Sequence, residues 1–169
     1  MIEKTFGKHN SSSKRLYFFN NEKKCLEKLN KNYNCICDCE CKKNHFPKII
    51  HNDKKNRKMI LSDQGVSLNK IDFFIYSRSD IIMQIDCIVN NLKKNKIIHL
   101  DIKPSNICIN INGVLSLIDF EISNIDNKII EIKKYRNKFK KKYNYPDKYY
   151  ELLKKELIEI IDNKMILQE

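Results

Sequence analysis

Two short stretches decide how this chain folds: HLDIKPSN at residues 99–106 and IDFE at residues 118–121. Between them lie two apolar runs that flank Asn112-Gly113. Asn-Gly between two such runs is a strong short-range signal for a β-hairpin. A hairpin over residues 107–118 brings the segment before its first strand next to the residue after its second strand. The sequence therefore predicts that polar side chains from both stretches meet at one end of the hairpin.

The polar residues of these stretches are the types that a metal-bound phosphate needs. Asn106 and one of the two aspartates, Asp101 or Asp119, offer hard oxygen ligands of the kind that Mg²⁺ prefers. Lys103 supplies an ammonium that neutralises charge on a transferred phosphoryl group, and the other aspartate is left to accept a proton from an attacking hydroxyl. The competing interpretation is a surface loop with scattered charges. That interpretation does not explain why an apolar hairpin separates the two acidic stretches.

Together the stretches resemble the catalytic loop H-R-D-x-K-x-x-N and the D-F-G motif of eukaryotic-type protein kinases. The matching positions are His99, Asp101, Lys103, Pro104, Asn106, Asp119 and Phe120. The resemblance implies that Asp101 is the catalytic base and that Lys103 contacts the transferred phosphoryl group. It also implies that Asn106 and Asp119 bind magnesium. For His99 it implies a supporting role beside the loop around Asp119.

Upstream, Asn21-Glu22-x-x-x-Leu26 resembles the kinase helix whose glutamate pairs with a strand lysine. Lys4 lies at a suitable distance before this helix, so we predict a Lys4–Glu22 ion pair that contacts the nucleotide. Lys14 is a rival for the lysine of this pair. The alternative is that Lys4 and Glu22 are two unrelated surface charges.

Residues 61–68 resemble the hinge between the two kinase lobes, with backbone groups near Ser62, Asp63 and Gln64 facing the adenine of ATP. The predicted fold is therefore α+β and protein-kinase-like. Residues 1–64 would form a small N-lobe with a reduced sheet and one helix. Residues 65–169 would form a reduced, mainly helical C-lobe that holds the catalytic loop and the activation segment.

The sequence departs from the kinase pattern in four places. With Gly7, Gly65 and Gly113 as its only glycines, the chain has no glycine-rich nucleotide loop, and that loop would have to precede Met1. Glu121 replaces the glycine of D-F-G, where another carboxylate repels ATP or recruits a further cation. Leu100 replaces the arginine that holds a phosphorylated activation segment. The segment Tyr145-Pro146-Asp147 resembles a degenerate form of the A-P-E element. The C-lobe is short, because only about one helix follows this segment.

Apolar periodicity predicts the remaining elements. One face of the first helix consists of Phe19, Glu22, Leu26 and Leu29. The buried stripe of the second helix consists of Ile82, Ile85, Val89 and Leu92, and the last helix carries Leu152, Leu153, Leu157 and Ile160. We expect helices at 15–30, 79–95 and 147–161, and strands at 1–6, 46–50, 58–61, 96–98, 107–111 and 114–118.

The composition is strongly basic: 33 Lys and Arg against 21 Asp and Glu give a net charge of +12. Such a surface attracts phosphates, nucleic acid or acidic proteins. An AT-rich coding sequence explains the abundance of Lys, Asn and Ile equally well. The stretch KFKKKY at residues 138–143 either contacts an acidic substrate or nucleic acid, or is a solvated basic loop.

Seven cysteines, no signal-peptide pattern and no apolar run of membrane length predict an intracellular protein of the cytoplasm or nucleus, with no membrane partner. Cys35, Cys37, Cys39 and Cys41, with His45 nearby, permit a zinc site. Structural zinc sites space their cysteines as C-x(2–4)-C pairs. The strict alternation here favours a variable loop insertion over zinc.

The function expected from this resemblance is phosphoryl transfer from Mg-ATP to the Ser or Thr hydroxyls of a protein, which the basic surface predicts to be acidic. Lys103 of the catalytic loop favours Ser/Thr over Tyr, by the same resemblance. The first alternative is an inactive pseudokinase that acts as a binding module. The second is a basic nucleic-acid-binding protein.

Overall fold

This computed structural model describes residues 1–6, 12–33, 44–72, 76–125 and 146–164. Within these ranges the chain has an α+β fold with three α-helices and small antiparallel sheets. The helices are α1 (Ser12–Lys31), α2 (Arg78–Lys94) and α3 (Pro146–Asp162). The strands are β1 (Ile2–Thr5), β2 (Ile49–Asp53), β3 (Lys58–Leu61), β4 (Val66–Ser67), β5 (Ile97–Ile98), β6 (Ile107–Ile109), β7 (Leu115–Leu117) and β8 (Asn124–Ile125).

The first sheet has the strand order β1-β3-β2 and packs against α1. Side chains alternate between the two faces of a strand, so Lys4 and Phe6, which are two positions apart, lie on the same face. Phe6 contacts Phe19 of α1 edge-to-face, with the ring centroids 5.4 Å apart. The predicted face of α1 is confirmed, because its apolar residues and Glu22 are all fully buried. The sheet and the helix therefore enclose one carboxylate between them.

The predicted hairpin is confirmed as β6 and β7, which pair in the register Ile107↔Leu117. Its loop differs from the expected two-residue turn. The N–H of Gly113 donates to the carbonyl of Asn110 (2.9 Å), and the N–H of Asn110 donates to the carbonyl of Val114 (3.2 Å). Gly113 has a φ of +70°, so the loop is a type I turn closed by a left-handed glycine. Each strand is consequently two residues shorter than predicted.

The second sheet, β4-β6-β7, packs against α2. Gln84 on α2 bonds the hairpin twice: its Nε2 donates to the carbonyl of Gly113 (2.9 Å), and its Oε1 accepts the N–H of Leu115 (2.8 Å). Gln84 thus satisfies two backbone groups that the hairpin leaves unpaired near its tip. This contact fixes the hairpin on the helix.

Several element limits differ from the sequence prediction. Helix α1 begins at Ser12 rather than Arg15, so its first turn includes Ser12 and Ser13. Strand β2 begins at Ile49 rather than at residue 46, and the residue just before that predicted start contacts β7, with the N–H of Leu117 donating to the carbonyl of His45 (3.0 Å). On α3 the fully buried residues are Tyr149, Leu153, Leu157 and Ile161, whereas Leu152 is 39% exposed.

The two sheets share one continuous apolar core. Phe120, which follows the hairpin, lies between Phe46 (centroids 6.0 Å apart) and His99 (4.7 Å). A third, two-stranded sheet pairs β5 with β8 in the register Ile97↔Ile125. No helix in the described part of the chain is long and apolar enough to cross a membrane.

Replacing Gln84 with alanine should lower the free energy of unfolding by about 2–3 kcal/mol, since it leaves a buried carbonyl and a buried N–H without their partner. The measurement is urea unfolding at neutral pH. Asn90→Ala, on the exposed side of the same helix, is the control and should change the stability by less than about 0.5 kcal/mol. Equal losses in both variants would contradict the role of Gln84.

Candidate active site

Lys4 is the centre of the candidate site. Its Nζ donates to Oε2 of Glu22 (2.6 Å) and to Oδ1 of Asp119 (2.8 Å), and lies 3.1 Å from Oε1 of Glu121. The structure therefore contains the predicted Lys4–Glu22 ion pair, and the rival Lys14 is exposed on the first turn of α1. The contact with Asp119 joins residues 115 positions apart.

The charges of this cluster are strongly coupled. Burial alone favours a neutral amine, but Glu22, Asp119 and Glu121 outweigh it and raise the pKa of Lys4 above its ordinary value. Burial raises the pKa of Glu22 to about 7, although Lys4 opposes this rise. Burial also opposes ionisation of Asp119, yet the charge and the hydrogen bond of Lys4 hold the pKa of that carboxyl below its ordinary value. Lys4 and Asp119 are thus charged at neutral pH.

The second half of the site is the loop after β5. Lys103 Nζ donates to Oδ2 of Asp101 (2.6 Å). Asn106 Nδ2 donates to the same Oδ2 (3.0 Å) and to the carbonyl of Asp101 (2.9 Å). A short 3₁₀ turn at Pro104–Asn106 brings the amide back towards Asp101. The predicted phosphoryl-contacting lysine and one predicted metal ligand therefore both contact the predicted base.

His99 and the hairpin join the two halves of the site. The N–H of Ile118 donates to the carbonyl of Asn106 (2.9 Å), which puts the residue before Asp119 beside the loop. His99 Nδ1 accepts the N–H of Asp101 (3.3 Å), so its Nε2 donates to the carbonyl of Ile118 (2.9 Å). Burial lowers the pKa of His99 to about 4. A neutral histidine thus bridges both stretches, in the supporting position predicted for it.

Two residues of the site have left-handed backbone conformations. Leu100 has a φ of +67° and Asp119 a φ of +68°. This region costs a residue with a Cβ roughly 1–2 kcal/mol. Such conformations persist where the surrounding contacts fix them, and they concentrate at functional sites. Here they lie next to Asp101 and at Asp119 itself, two of the residues to which the resemblance assigns chemistry.

Asn21, to which the sequence pattern assigns no role, fixes the segment after the hairpin. Its Nδ2 faces three carbonyl oxygens, those of Phe120 (3.3 Å), Glu121 (2.9 Å) and Ser123 (2.8 Å). The neighbouring Glu22 accepts the N–H of Phe120 through Oε1 (3.4 Å). Helix α1 therefore holds both the side chain of Lys4 and the backbone that follows Asp119. No periodicity marks Asn21, because its partners are carbonyl groups about 100 positions away.

The predicted hinge connects the first sheet to the second. The N–H of Ser62 donates to the carbonyl of Lys48 (2.9 Å), so this amide is already used within the protein. Asp63 Oδ1 accepts the N–H of Gly65 (3.0 Å), and Gln64 Nε2 donates to the Ser62 hydroxyl (2.8 Å). That backbone groups near Ser62, Asp63 and Gln64 contact adenine stays a prediction.

The donor set around Asp119 fits a divalent cation. Lys4 carries one positive charge against three carboxylates, a formal charge of −2 for the cluster. Carboxylate and amide oxygens are the ligands that Mg²⁺ prefers, and Asp119 and Asn106 offer both types at the same end of the hairpin. Oxygens of Glu22, Asp119 and Glu121 also lie within 4.8 Å of one another, but this group already surrounds the Lys4 ammonium.

Two predicted features lie outside the described residues: the four cysteines of the zinc alternative, Cys35, Cys37, Cys39 and Cys41, and the basic stretch at 138–143. His45, named with the cysteines, is buried, and its Nδ1 lies 2.7 Å from the carbonyl oxygen of Leu115. The choice between a variable loop insertion, which the sequence favours, and zinc binding by this region is therefore not tested by the described residues.

No family model matches the chain, and no curated protein shows a significant sequence match to it.

His99 should make the protein less stable in mild acid. An unfolded histidine takes up a proton near pH 6.5, whereas folded His99 does so only near pH 4, so the unfolding free energy should fall by about 3 kcal/mol as the pH drops between these values. His99→Gln keeps a donor for Ile118 without titrating. The measurement is urea unfolding of both proteins at pH 7 and pH 4.5. A loss of equal size in the variant would contradict the assignment.

Asn21→Asp should destabilise the protein by about 2–3 kcal/mol, because a carboxylate would face three carbonyl oxygens and the amide donor would be lost. Asn20→Asp adds the same charge one position earlier on α1 and should cost far less. Chemical unfolding of both variants at neutral pH measures the difference. If Asn20→Asp proves as costly as Asn21→Asp, added charge rather than the lost donor is responsible.

Proposed function

We propose that this chain is a phosphotransferase of the protein-kinase type, which transfers the terminal phosphoryl group of Mg-ATP to a Ser or Thr hydroxyl of a protein. The observation that carries the proposal is the contact of Lys4 with both Glu22 and Asp119, beside a loop in which Asp101 contacts Lys103 and Asn106. Lys4 was named as the partner of Glu22 from the sequence. Its additional contact with Asp119 joins the separate halves of the resemblance.

In the proposed reaction Asp101 is the general base. A bond forms between the substrate hydroxyl oxygen and the γ-phosphorus, and the bond from that phosphorus to the bridging oxygen of ADP breaks. The hydroxyl proton passes to the Asp101 carboxylate. Lys103, 2.6 Å from Asp101, is placed to neutralise charge on the phosphoryl group during transfer.

Asn106 and Asp119 would hold the magnesium ion. Bound there, the ion would neutralise phosphate charge and orient the terminal phosphate. Asn106 is buried at the base of the loop and already bonds Asp101 through its amide nitrogen, so its oxygen is turned away from that bond. Asp119 bonds Lys4 through Oδ1. The same two side chains would thus connect metal, base and lysine.

The nature of the partners follows from the resemblance and from charge. Asp63 and Gln64 lie in the connection between the sheets, where the resemblance places adenine. A net charge of +12 favours an acidic protein substrate. Lys103 in the catalytic loop supports Ser/Thr rather than Tyr as the acceptor.

A second candidate is a pseudokinase that binds a partner without catalysis. The observation that favours it is Glu121, whose carboxylate contacts Lys4 at 3.1 Å in place of a glycine that would leave the lysine open. This candidate keeps the fold and the cluster but predicts no phosphate transfer.

Phosphate transfer from labelled ATP to an acidic and a basic carrier protein tests the first candidate. We expect magnesium-dependent transfer that Asp119→Ala and Asp101→Asn each lower at least about 100-fold, since they remove a metal ligand and the base. Asp72→Ala, at an exposed aspartate, is the control and should match the unaltered protein.

Equal transfer by the unaltered protein and Asp119→Ala would contradict the catalytic proposal, and so would the absence of transfer by either. If neither protein transfers phosphate, a thermal-shift measurement shows whether the chain still binds nucleotide. A rise in melting temperature with ATP only when magnesium is present supports nucleotide binding. If no nucleotide raises the melting temperature, the remaining candidate is a pseudokinase that acts as a binding module.

A further inference from the structure

The ammonium of Lys4 has three N–H groups, and three carboxylates lie within bonding distance of it. The distances from Nζ are 2.6 Å to Glu22, 2.8 Å to Asp119 and 3.1 Å to Glu121. A nucleotide phosphate that contacts Lys4 must therefore take the place of one of these carboxylates. The phosphate affinity depends on which of the three carboxylates moves away from Lys4.

The carboxylate of Glu22 cannot easily move away from Lys4. Its side chain is 1% exposed, and its second oxygen accepts the N–H of Phe120. Moving it would leave a carboxylate buried without its cation, which is strongly unfavourable. Asp119 makes the next shortest contact, and although its side chain is 35% exposed, the proposed metal site needs it in place.

Glu121 has the longest contact with Lys4, and its side chain is 24% exposed. Its backbone is fixed, because its carbonyl accepts a hydrogen bond from Asn21 (2.9 Å). The side chain can therefore rotate away from Lys4 while Asp119 and the backbone stay in place. Of the three carboxylates, that of Glu121 is the one that can be exchanged for a phosphate.

We propose that Glu121 determines nucleotide affinity: its carboxylate occupies the place at Lys4 that a nucleotide phosphate takes, and the two compete for the ammonium. This inference rests on the proposed function, since it assumes that the site binds ATP. Glu121 adds one of the negative charges that give the cluster its formal excess, so it also repels a polyphosphate at short range. Both effects act on phosphate groups and leave the nucleoside part untouched.

The test measures the affinities of the full chain for ATP and for adenosine by calorimetry, first without magnesium and then with it. Glu121→Gln and Glu121→Ala remove the charge, and each should tighten ATP binding about tenfold without magnesium. Their affinity for adenosine should equal that of the unaltered protein. The gain should shrink when magnesium is added, because the cation offsets the same charge.

Glu3→Gln is the matched control. Glu3 precedes Lys4 on β1, but its side chain is 56% exposed and pairs with Lys58 (2.9 Å). The Glu3→Gln substitution removes one negative charge without changing Lys4 or its three carboxylates. The affinity of this variant for ATP should therefore stay within about twofold of that of the unaltered protein.

The outcomes separate this inference from the function on which it rests. Adenosine and ATP binding by all variants, with equal ATP affinity in the Glu121 variants and the unaltered protein, overturns the inference alone. Tighter ATP binding in Glu3→Gln as well would reduce the effect to net charge and overturn it too. If neither ligand binds to any of the proteins, the proposed function fails and the inference fails with it.

Discussion

The contact of the Lys4 ammonium with three carboxylates is the interaction on which the rest of the site depends. The partners come from two distant parts of the chain: Glu22 from α1, and Asp119 and Glu121 from the segment after the hairpin. Glu22 is buried and would be costly as a lone charge, so β1 and α1 must pack together to satisfy it. Asp119 and Glu121 then draw the hairpin end to the same place. One ammonium therefore fixes the sheet, the helix and the candidate metal ligands relative to one another.

The hairpin supplies the second constraint. Its first strand follows Asn106 and its second precedes Asp119, so backbone pairing alone makes the two stretches neighbours. His99 strengthens this arrangement with hydrogen bonds to both. The left-handed conformations of Leu100 and Asp119 are held by these contacts, which means that folding free energy is used to orient the residues proposed for chemistry.

Leu100 and Glu121, two of the residues that depart from the kinase pattern, have defined surroundings in the structure. Leu100, in place of an arginine, is buried in the core and cannot bind a phosphorylated segment. The backbone after Asp119 is held instead by Asn21, whose amide faces three carbonyl oxygens of that segment. Glu121, in place of glycine, is a third partner for Lys4. The segment after the hairpin is thus anchored by helix α1 itself, and its extra carboxylate limits what Lys4 can bind.

The sequence by itself determined the elements whose signals are local: the hairpin around Asn112-Gly113, and the face of α1 that contains Glu22. Periodicity and turn chemistry act over a few residues, so they survive in a single sequence. Only the tertiary structure decided that Lys4 rather than Lys14 pairs with Glu22, and that Asn21 and Gln84 hold distant backbone groups. Those outcomes depend on hydrogen bonds and charges that meet across 18 to 115 positions of the chain, and nothing in the local pattern encodes which partners will meet.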